Sequence, residues 1–406
     1  VAYKYISKNR VNLKIQVREG KIAEVRAIRI IGNKTYTQRA LLKKISLSTP
    51  NVFSFITSDD QYSKQKLDAD IETLRSFYMN NGFVNAQILS QQVSIAPDYS
   101  GLYISIALSE GQRYRFSGYS FTGKTLGLDK QLQQTVQFKA GQWFSRQKLI
   151  DTSDAITALY ADRGYAFPII TPLPRVDNIH HTVSVVFKIE PENKFYIRRI
   201  NLLGNSQTDG ISLRNVMSVV NEASLYSASL VNEAKRRLSN LPYIMNVQAT
   251  PKPVPNQPNK LDLDYKFTER NAGKISVSGG YSDVEGFLVS LSVSDPNFLG
   301  SGNALNVAFQ KSQYANQYSL SYTNPFVNTW GVSRSVSFSY NKYTPSDVDL
   351  SSFGQQTLTT SIGYSIPISN YTTVSASLGY NWTRLKKQSA SPNQIIDFIN
   401  KYGGQY

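Results

Sequence analysis

Few of the 406 residues of this chain have the types and spacing of a reaction centre. The two histidines, His180 and His181, are adjacent. As neighbours in an extended segment they point to opposite faces and cannot close together on one metal ion, so they read as a solvated turn. Asp68 with Asp70, and Asp347 with Asp349, are paired carboxylates without partners; they read as a helix surface and a loop. Gly300-Ser301-Gly302 lacks the rest of a dinucleotide fingerprint and opens no helix. Lys386-Lys387 follows a strand end and reads as a solvated loop. There is no cysteine, which excludes thiolate metal sites and a disulfide framework. The expectation is a protein with no catalytic residues, no metal and no cofactor.

The net charge of +16 raises the question of an anionic partner. Residues 1–271 hold 36 Lys and Arg against 22 Asp and Glu, whereas residues 272–406 hold 8 against 6. A basic first part thus precedes a nearly uncharged one rich in Ser, Gly, Tyr and Asn. Nucleic-acid binding needs basic residues gathered on one face with aromatics to stack bases. Here they are scattered along the first part, and no nucleic acid is expected. The chain opens at Val1 with no apolar signal core, and no apolar run approaches about 18 residues. It reads as a processed or excised chain without a membrane-spanning helix.

Elements rather than reactive groups carry the information. RAIRIIGNKTYT (Arg26 to Thr37) is a short alternating strand ending in a Gly-Asn turn. Close versions return as RYRFSGYSFTGKT (Arg113 to Thr125) and YIRRINLLGNSQT (Tyr196 to Thr208). Recurrence of a supersecondary unit marks a repeat. Behind each strand a polar residue opens a helix: Thr37, Asp129 and Ser212. A second helix follows, with Leu67, Ile71, Leu74 and Tyr78 on one face in the first unit and Leu230, Ala234, Leu238 and Leu241 in the third. Gly82 and Gly164 stop the first two, and Leu241-Pro242 stands in that place in the third. An aromatic (Phe83, Tyr165, Tyr243) then begins a strand, and GLYISIALSEG, HTVSVVFKIEPEN or KLDLDYKFTERN closes the unit. Each unit reads strand–helix–helix–strand–strand, an α+β module with its helices on one face of the sheet. RVNLKIQVREG near the start matches a closing strand, so residues 1–20 read as the tail of an earlier unit.

From Lys274 the period changes to two. Seven strands are expected at about 274–282, 286–294, 303–311, 317–324, 333–343, 355–366 and 372–384, most of them long enough to cross a bilayer when tilted. One face is apolar; the other is Ser, Asn, Gln or Gly. A soluble sandwich would place more Lys and Glu there, whereas small uncharged groups suit a barrel lumen. Tyr281, Tyr322, Tyr340, Tyr364, Tyr380 and Trp382 sit near strand ends, as an interfacial girdle requires.

The strand–helix–helix–strand–strand order, with its Gly-Asn turn and helix-Gly-aromatic step, resembles the POTRA domain. DPNFLGSGNAL (Asp295 to Leu305) and YTNPFV (Tyr322 to Val327) resemble the early barrel hairpins of the BamA-type outer-membrane insertases, and FTERNAGKISVSGGYSDVEGFLVSLSVSDPNFLGSG resembles that family across the junction. The resemblance covers essentially the whole chain. It implies tandem POTRA modules at 21–112, 113–193 and 194–271, the tail of another at 1–20, and the first part of an antiparallel transmembrane β-barrel at 272–406. The family's barrel has about sixteen strands, so this is a fragment running from late in the second POTRA to mid-barrel.

The implied function is assembly and insertion of outer-membrane β-barrel proteins, with the barrel in the bacterial outer membrane and the POTRA modules in the periplasm. Implied partners are unfolded outer-membrane proteins, accessory lipoproteins, outer-membrane lipid and periplasmic chaperones. Exposed POTRA edges would bind clients by β-augmentation. The first barrel strand, Lys274, Ile275, Ser276, Val277, Ser278, Gly279, Gly280 and Tyr281, would form a lateral gate. Arg214 falls on the family's arginine position for accessory-lipoprotein docking; the matching glutamate position holds Asn221, with Glu222 one residue on. The alternatives are an outer-membrane transporter of the two-partner secretion type, which typically carries fewer modules, and a structural scaffold with a passive porin.

The face assignment has a direct consequence. In the intact barrel, Leu291→Arg should cost about 2–4 kcal/mol near mid-bilayer and Ser290→Arg far less. Folding titrations into lipid vesicles measure both, and equal losses would defeat the alternation.

Overall fold

The computed structural model describes residues 2–7, 10–14, 24–50, 54, 60–97, 101–283, 286–328, 330–344, 353–369, 372–388 and 391–405. Asp347 and Asp349 lie outside them. The chain divides into two compact units, Val1–Thr157 with Ile169–Pro191, and Ala158–Pro168 with Glu192–Tyr406. At the start, β1 (Ala2–Ser7) and β2 (Arg10–Lys14) pair antiparallel.

Three modules follow with one topology. The first is β3 (Val25–Ile31), α1 (Gln38–Leu42), α2 (Lys64–Asn80), β4 (Gln87–Ile95) and β5 (Leu102–Ser109). The second is β6 (Arg115–Gly123), α3 (Asp129–Thr135), α4 (Arg146–Ala161), β7 (Ile169–Asp177) and β8 (Thr182–Glu190). The third is β9 (Tyr196–Leu203), α5 (Gly210–Val216), α6 (Ala228–Ser239), β10 (Ile244–Pro253) and β11 (Lys260–Glu269). In each sheet the closing strand is central, parallel to the entry strand and antiparallel to the middle one. Its alternate residues, such as Ile104 and Ile106 or Leu263 and Tyr265, are buried under the helices.

The recurring turn has a steric cause. Gly32 has φ +92°, and a Cβ there would lie 2.0 Å from the Leu108 carbonyl oxygen. Gly204, at φ +86°, would meet Phe267 at 2.6 Å. The entry strand therefore passes too close to the closing strand for any side chain. The next residue ties the turn: Asn33 Nδ2 donates to Tyr36 O at 2.8 Å, and Asn205 Nδ2 to Thr208 O at 3.1 Å. A carboxylate from the closing strand then receives the loop. Glu110 accepts from Lys34 N (2.8 Å), Thr35 N (3.0 Å), Thr35 Oγ1 (2.6 Å) and Tyr78 Oη (2.9 Å); Glu269 does the same for Gln207 and Thr208. The second module has Lys124 after its glycine and Pro191 where this glutamate would stand.

Several expectations are corrected. Thr37 is the helix cap, accepting from Ala40 N. Asp129, however, is already the first helical residue behind Leu128, and Asp209, not Ser212, precedes α5. Asp70 is buried rather than on a helix surface, because its carboxylate accepts from Ser46 N, Ser46 Oγ and Leu47 N at 2.7–2.8 Å. In α6 the core face runs through Val231, Ala234 and Leu238, and Leu230 is exposed. Lys386 and Lys387 lie within a strand, paired with Gly354 and Phe353.

The rest is one antiparallel sheet of seven strands in sequence order: β12 (Lys274–Ser282), β13 (Gly286–Asp295), β14 (Ala304–Lys311), β15 (Ala315–Asn324), β16 (Ser333–Tyr343), β17 (Phe353–Ser369) and β18 (Thr372–Lys387). Register carries the face assignment across every strand. Val277, Leu291, Phe309, Tyr318, Tyr340, Leu358 and Trp382 form one continuous cross-strand row. On the other face Ser278, Ser290, Gln310, Gln317, Asn341, Thr357 and Thr383 form the neighbouring row. Polar side chains there bond one another, as in Ser294 Oγ to Asn306 Oδ1 and Ser337 Oγ with Ser361 Oγ. A short helix, α7 (Asn393–Tyr402), follows β18 and ends at Gly403 in the left-handed conformation.

Burial would raise the Glu110 pKa, but hydrogen bonds from Thr35, Lys34 and Tyr78 outweigh it and hold the carboxyl below its ordinary value. Its contribution to stability is thus complete above the unfolded glutamate pKa of about 4.3 and is lost as pH falls through the lower folded one. Amide-exchange protection of β3 and β5 should fall over that acid window, and Glu110→Gln should flatten this pH dependence while lowering protection near neutrality.

Candidate functional site

An edge strand offers a row of backbone donors and acceptors to any extended chain. In this protein each entry strand has that row partly covered by its own module. On β3, Val25 N donates to Asp60 O, and Gln38 Nε2 donates to Ile28 O. On β6, Phe116 N and O are taken by Gln142 O and Gly141 N. On β9, Ile197 N and O are taken by Ser224 O and Ala223 N. The other edges, β4, β7 and β10, differ in sequence. Pro174 of β7 pairs with Val185, Pro251 of β10 with Leu263, and Val93 of β4 with Ile104. Each of these partners lies four residues before the one that meets the entry-strand glycine (Ile189, Phe267 and Leu108), so the three positions are equivalent. Pro172 likewise corresponds to Gln91, and Pro253 to Ile95. Proline fits a strand only with its nitrogen turned to the free edge, so β7 and β10 have each lost two edge donors. Only β4 keeps its full row, beside exposed Leu89, Val93 and Ile95.

Arg214, at the end of α5, and Glu222 do come together, with Nη1 and Oε1 3.6 Å apart. Both are about half exposed, so the ion pair alone contributes little. Its geometry is more informative: Arg214 Nη2 donates to Ile200 O and Glu222 Oε1 accepts from Ile200 N, each at 2.8 Å. The pair continues the cover of the β9 edge. Asn221 is exposed and accepts from Ser224 through its carbonyl.

The expected gate residues all lie on β12, paired in register with β13 from Lys274–Ser294 to Ser282–Gly286. Ile275, Val277 and Tyr281 are exposed on the apolar face, and Tyr281 packs edge-on against Phe287. Ser276 and Ser278 face Ser292 and Ser290. A Cβ on Gly279 would meet nothing closer than 3.7 Å, and one on Gly280 nothing within 4 Å. Sterics within this sheet do not require glycine at either position.

A contact that sequence reasoning missed joins the third module to the barrel sheet. The β13–β14 turn passes through three left-handed residues, Leu299, Gly300 and Gly302. Gly300 O accepts from Asp209 N at 2.8 Å, Asn297 Nδ2 donates to Thr208 Oγ1 at 2.9 Å, and Ser212 Oγ donates to Ser301 O at 2.5 Å. Phe326, in the next turn, packs against the third-module core. Glu269 braces the loop that receives this turn, and hydrogen bonds from Thr208, Gln207 and Ser206 outweigh burial to hold its carboxyl below the usual range. Nearby, burial pushes the Tyr243 hydroxyl up to about 12, with Glu269 adding to the shift. The signal lay in a comparison between repeats. Aligned on the Asn33 and Asn205 turns, Thr208 and Ser212 correspond to Tyr36, whose ring packs against Phe77, Tyr78 and Phe83, and to Ala40, so the first module has neither short hydroxyl side chain.

Tandem β-α-α-β-β modules running into strands of membrane-crossing length, apolar on one face, define an outer-membrane barrel protein with a periplasmic arm. The POTRA model, described as a surface antigen variable number repeat, matches residues 23–111, 114–192 and 195–270, and the Omp85 superfamily domain matches 297–405. The chain belongs to this POTRA-bearing Omp85 family. It is 30% identical over 403 residues to the outer membrane protein assembly factor BamA of Neisseria meningitidis serogroup B, covering 98% of this chain and 50% of that protein. BamA of Buchnera aphidicola is 25% identical over 386 residues, covering 95% and 62%. The chain thus spans one half to three fifths of the relatives it matches. Among solved structures, Haemophilus ducreyi BamA lacking POTRA domains 1–3 superposes with a TM-score of 0.62 at 28% identity, over 71% of this chain and 54% of that one. Haemophilus influenzae BamA POTRA3–5 shares the fold at a TM-score of 0.57 and 21% identity, over 63% of this chain and all of that one. The protein is located in the outer membrane with its POTRA modules in the periplasm.

Docking of the β13–β14 turn depends on the missing side chain at Gly300, where a Cβ would lie 2.2 Å from Gln207 O at φ +75°. Gly300→Ala should therefore cost about 1–3 kcal/mol and release the turn. Faster exchange of the Asp209 amide would report it, with Gly273→Ala, a site with nothing within 4 Å, as the unaffected control.

Proposed function

We propose that this chain is part of a non-enzymatic factor that folds and inserts β-barrel proteins into the outer membrane. Unfolded barrel precursors have unpaired backbone groups, and a POTRA edge holds them by adding them as a strand. One observation carries this reading: of three equivalent edges, two have prolines in place of donors and one does not. A chain that merely needed to avoid aggregation would protect all three. We assign client capture to β4, with Gln91, Val93 and Ile95 presenting their N–H groups.

Insertion needs a second edge at membrane depth, and a lasting open edge is not tolerated in lipid. The strand Lys274 to Tyr281 serves as that edge, closed by a weak pairing that a client replaces. The glycines at 279 and 280 support this, since they remove side-chain packing where space allows it. Arg214, with Glu222 and Asn221 beside it, forms the docking point for an accessory lipoprotein. Outer-membrane lipid meets the apolar rows of the sheet, and periplasmic chaperones deliver clients to the arm. Residues 1–20 belong to a preceding POTRA, and the modules run 21–112, 113–193 and 194–271 before the barrel at 272. The two-partner secretion reading is weaker, because a fuller arm than such transporters carry stands here.

In the full-length protein, Val93→Pro copies what β7 and β10 already tolerate. It should abolish photocrosslinks from β4 to an unfolded barrel precursor without altering the module's far-UV spectrum. Single cysteines at Ser276 and Ser278 should form disulfides with the last strand of a stalled client in one register. Crosslinks that persist in Val93→Pro would remove the β4 assignment; their absence from β12 would remove the gate.

A further inference from the structure

The structure holds a repeated clasp that needs no client and stands apart from the assembly reading. At the end of α2, Asn80 Oδ1 accepts from Gln147 N at 2.7 Å and Ser145 Oγ at 3.4 Å. Ser145 and Gln147 open α4, the second helix of the following module. Two residues after Asn80, Gly82 O accepts from Tyr114 N at 2.8 Å, and Asn81 O accepts from Arg113 Nε at 2.6 Å. The Arg113 guanidinium lies over the Trp143 ring at 3.8 Å. The same pattern recurs within the second unit of the chain. Asp162 Oδ1 accepts from Ser229 N at 2.7 Å and Ser227 Oγ at 3.1 Å, at the opening of α6. Two residues on, Gly164 O accepts from Phe195 N at 2.8 Å.

The equivalence is complete in position: Asn80 with Asp162, Gly82 with Gly164, Tyr114 with Phe195, Ser145 with Ser227, Gln147 with Ser229. A helix N-terminus leaves N–H groups without intrahelical partners. Here an acceptor from the preceding repeat meets one of them and the cap hydroxyl together. One site uses a neutral amide and the other a carboxylate, so the shared requirement is an oxygen acceptor at that point, not a charge. In the third module the equivalent residues are Asn240 and Pro242. No hydrogen bond to the Asn240 side chain occurs among the described residues, and the linker into β12 bonds instead to Tyr243 O and Pro242 O through Arg270.

We propose that Asn80 and Asp162 are positioning residues that lock successive repeats, each by capping the second helix of the repeat that follows. Each lock holds the start of one repeat's second helix against the end of the second helix of the repeat before it.

The native chain has no cysteine, so spin labels can be placed cleanly on the whole protein at Gln65→Cys on α2 and Gln134→Cys on α3. The lock gives one narrow distance peak. Asn80→Ala should lose that peak, Asn80→Asp should keep it because a carboxylate serves at Asp162, and Gln147→Pro, which removes the donor from the other side in a first helical turn that tolerates proline, should lose it as well. In the second clasp, Asp162→Ala should speed exchange of the Ser229 amide and Asp162→Asn should not. Amide exchange of β5 monitors folding throughout. An unchanged peak in Asn80→Ala, or equal loss in Asn80→Asp, overturns the proposal.

Discussion

A three-stranded sheet has two edges, and every edge donor must be met by protein, by water or by a foreign strand. That constraint organises most of what this chain does with its residues. Each module protects its entry strand from within, through a loop whose backbone runs along part of the edge or through side chains that reach it. On β9 both devices appear in sequence, with Ala223 and Ser224 closing Ile197 and the Arg214–Glu222 pair closing Ile200. Two of the three opposite edges are treated by deletion: Pro172, Pro174, Pro251 and Pro253 remove the hydrogen that a foreign strand would need. The seven-stranded sheet meets the same constraint by pairing each strand with the next through short connections.

Because edges are managed locally, the modules can share a frame and still differ in role. The frame is the close crossing of the entry and closing strands, which demands glycine at 32 and 204, and the carboxylate that receives the following loop. Variation enters at positions the frame leaves free. Tyr36 in the first module turns inward and joins an aromatic cluster with Phe77, Tyr78 and Phe83. Its counterpart Thr208 instead turns its hydroxyl to the barrel hairpin, is buried there, and receives that hairpin together with Ser212. The same backbone thus builds an internal contact in one repeat and an intermolecular-style dock in another.

Much of this was legible in the sequence, for reasons that can be named. Period two is unambiguous when it runs through seven segments, and register then follows from the short turns; the alternation at Phe287 to Val293 sufficed to name the lipid face. Repeats were visible because glycine at a forbidden crossing cannot be replaced. What escaped notice were contacts made by ordinary polar residues at long range. Asp70 looks like any exposed helix acid until it is seen to cap Ser46 and Leu47 across the module. Ser212 looks like a helix cap because its hydroxyl has a common local use, and only tertiary structure reveals that Ser301 takes it. Helix α7 lies beyond the last period-two segment, where Ile395, Ile396 and Ile399 before Gly403 give only a short helical signal.

On the proposed reading, capture and insertion pose opposite demands on an edge, and β4 and β12 differ in the way those demands require. In the periplasm an exposed row of donors survives because water satisfies it between clients, so β4 can remain intact beside apolar side chains and still be soluble. In the membrane no water substitutes, and an edge is usable only if its resting partner is easily displaced. Side chains are what make a strand pairing strong, through cross-strand contacts on each face. At Gly279 and Gly280 those contacts are absent although the surroundings have room for them. The backbone ladder with β13 remains whole there, so the hydrogen-bonding capacity of β12 is retained while its hold on a neighbour is reduced. A strand that must exchange partners needs that combination, and a strand that only closes a wall does not.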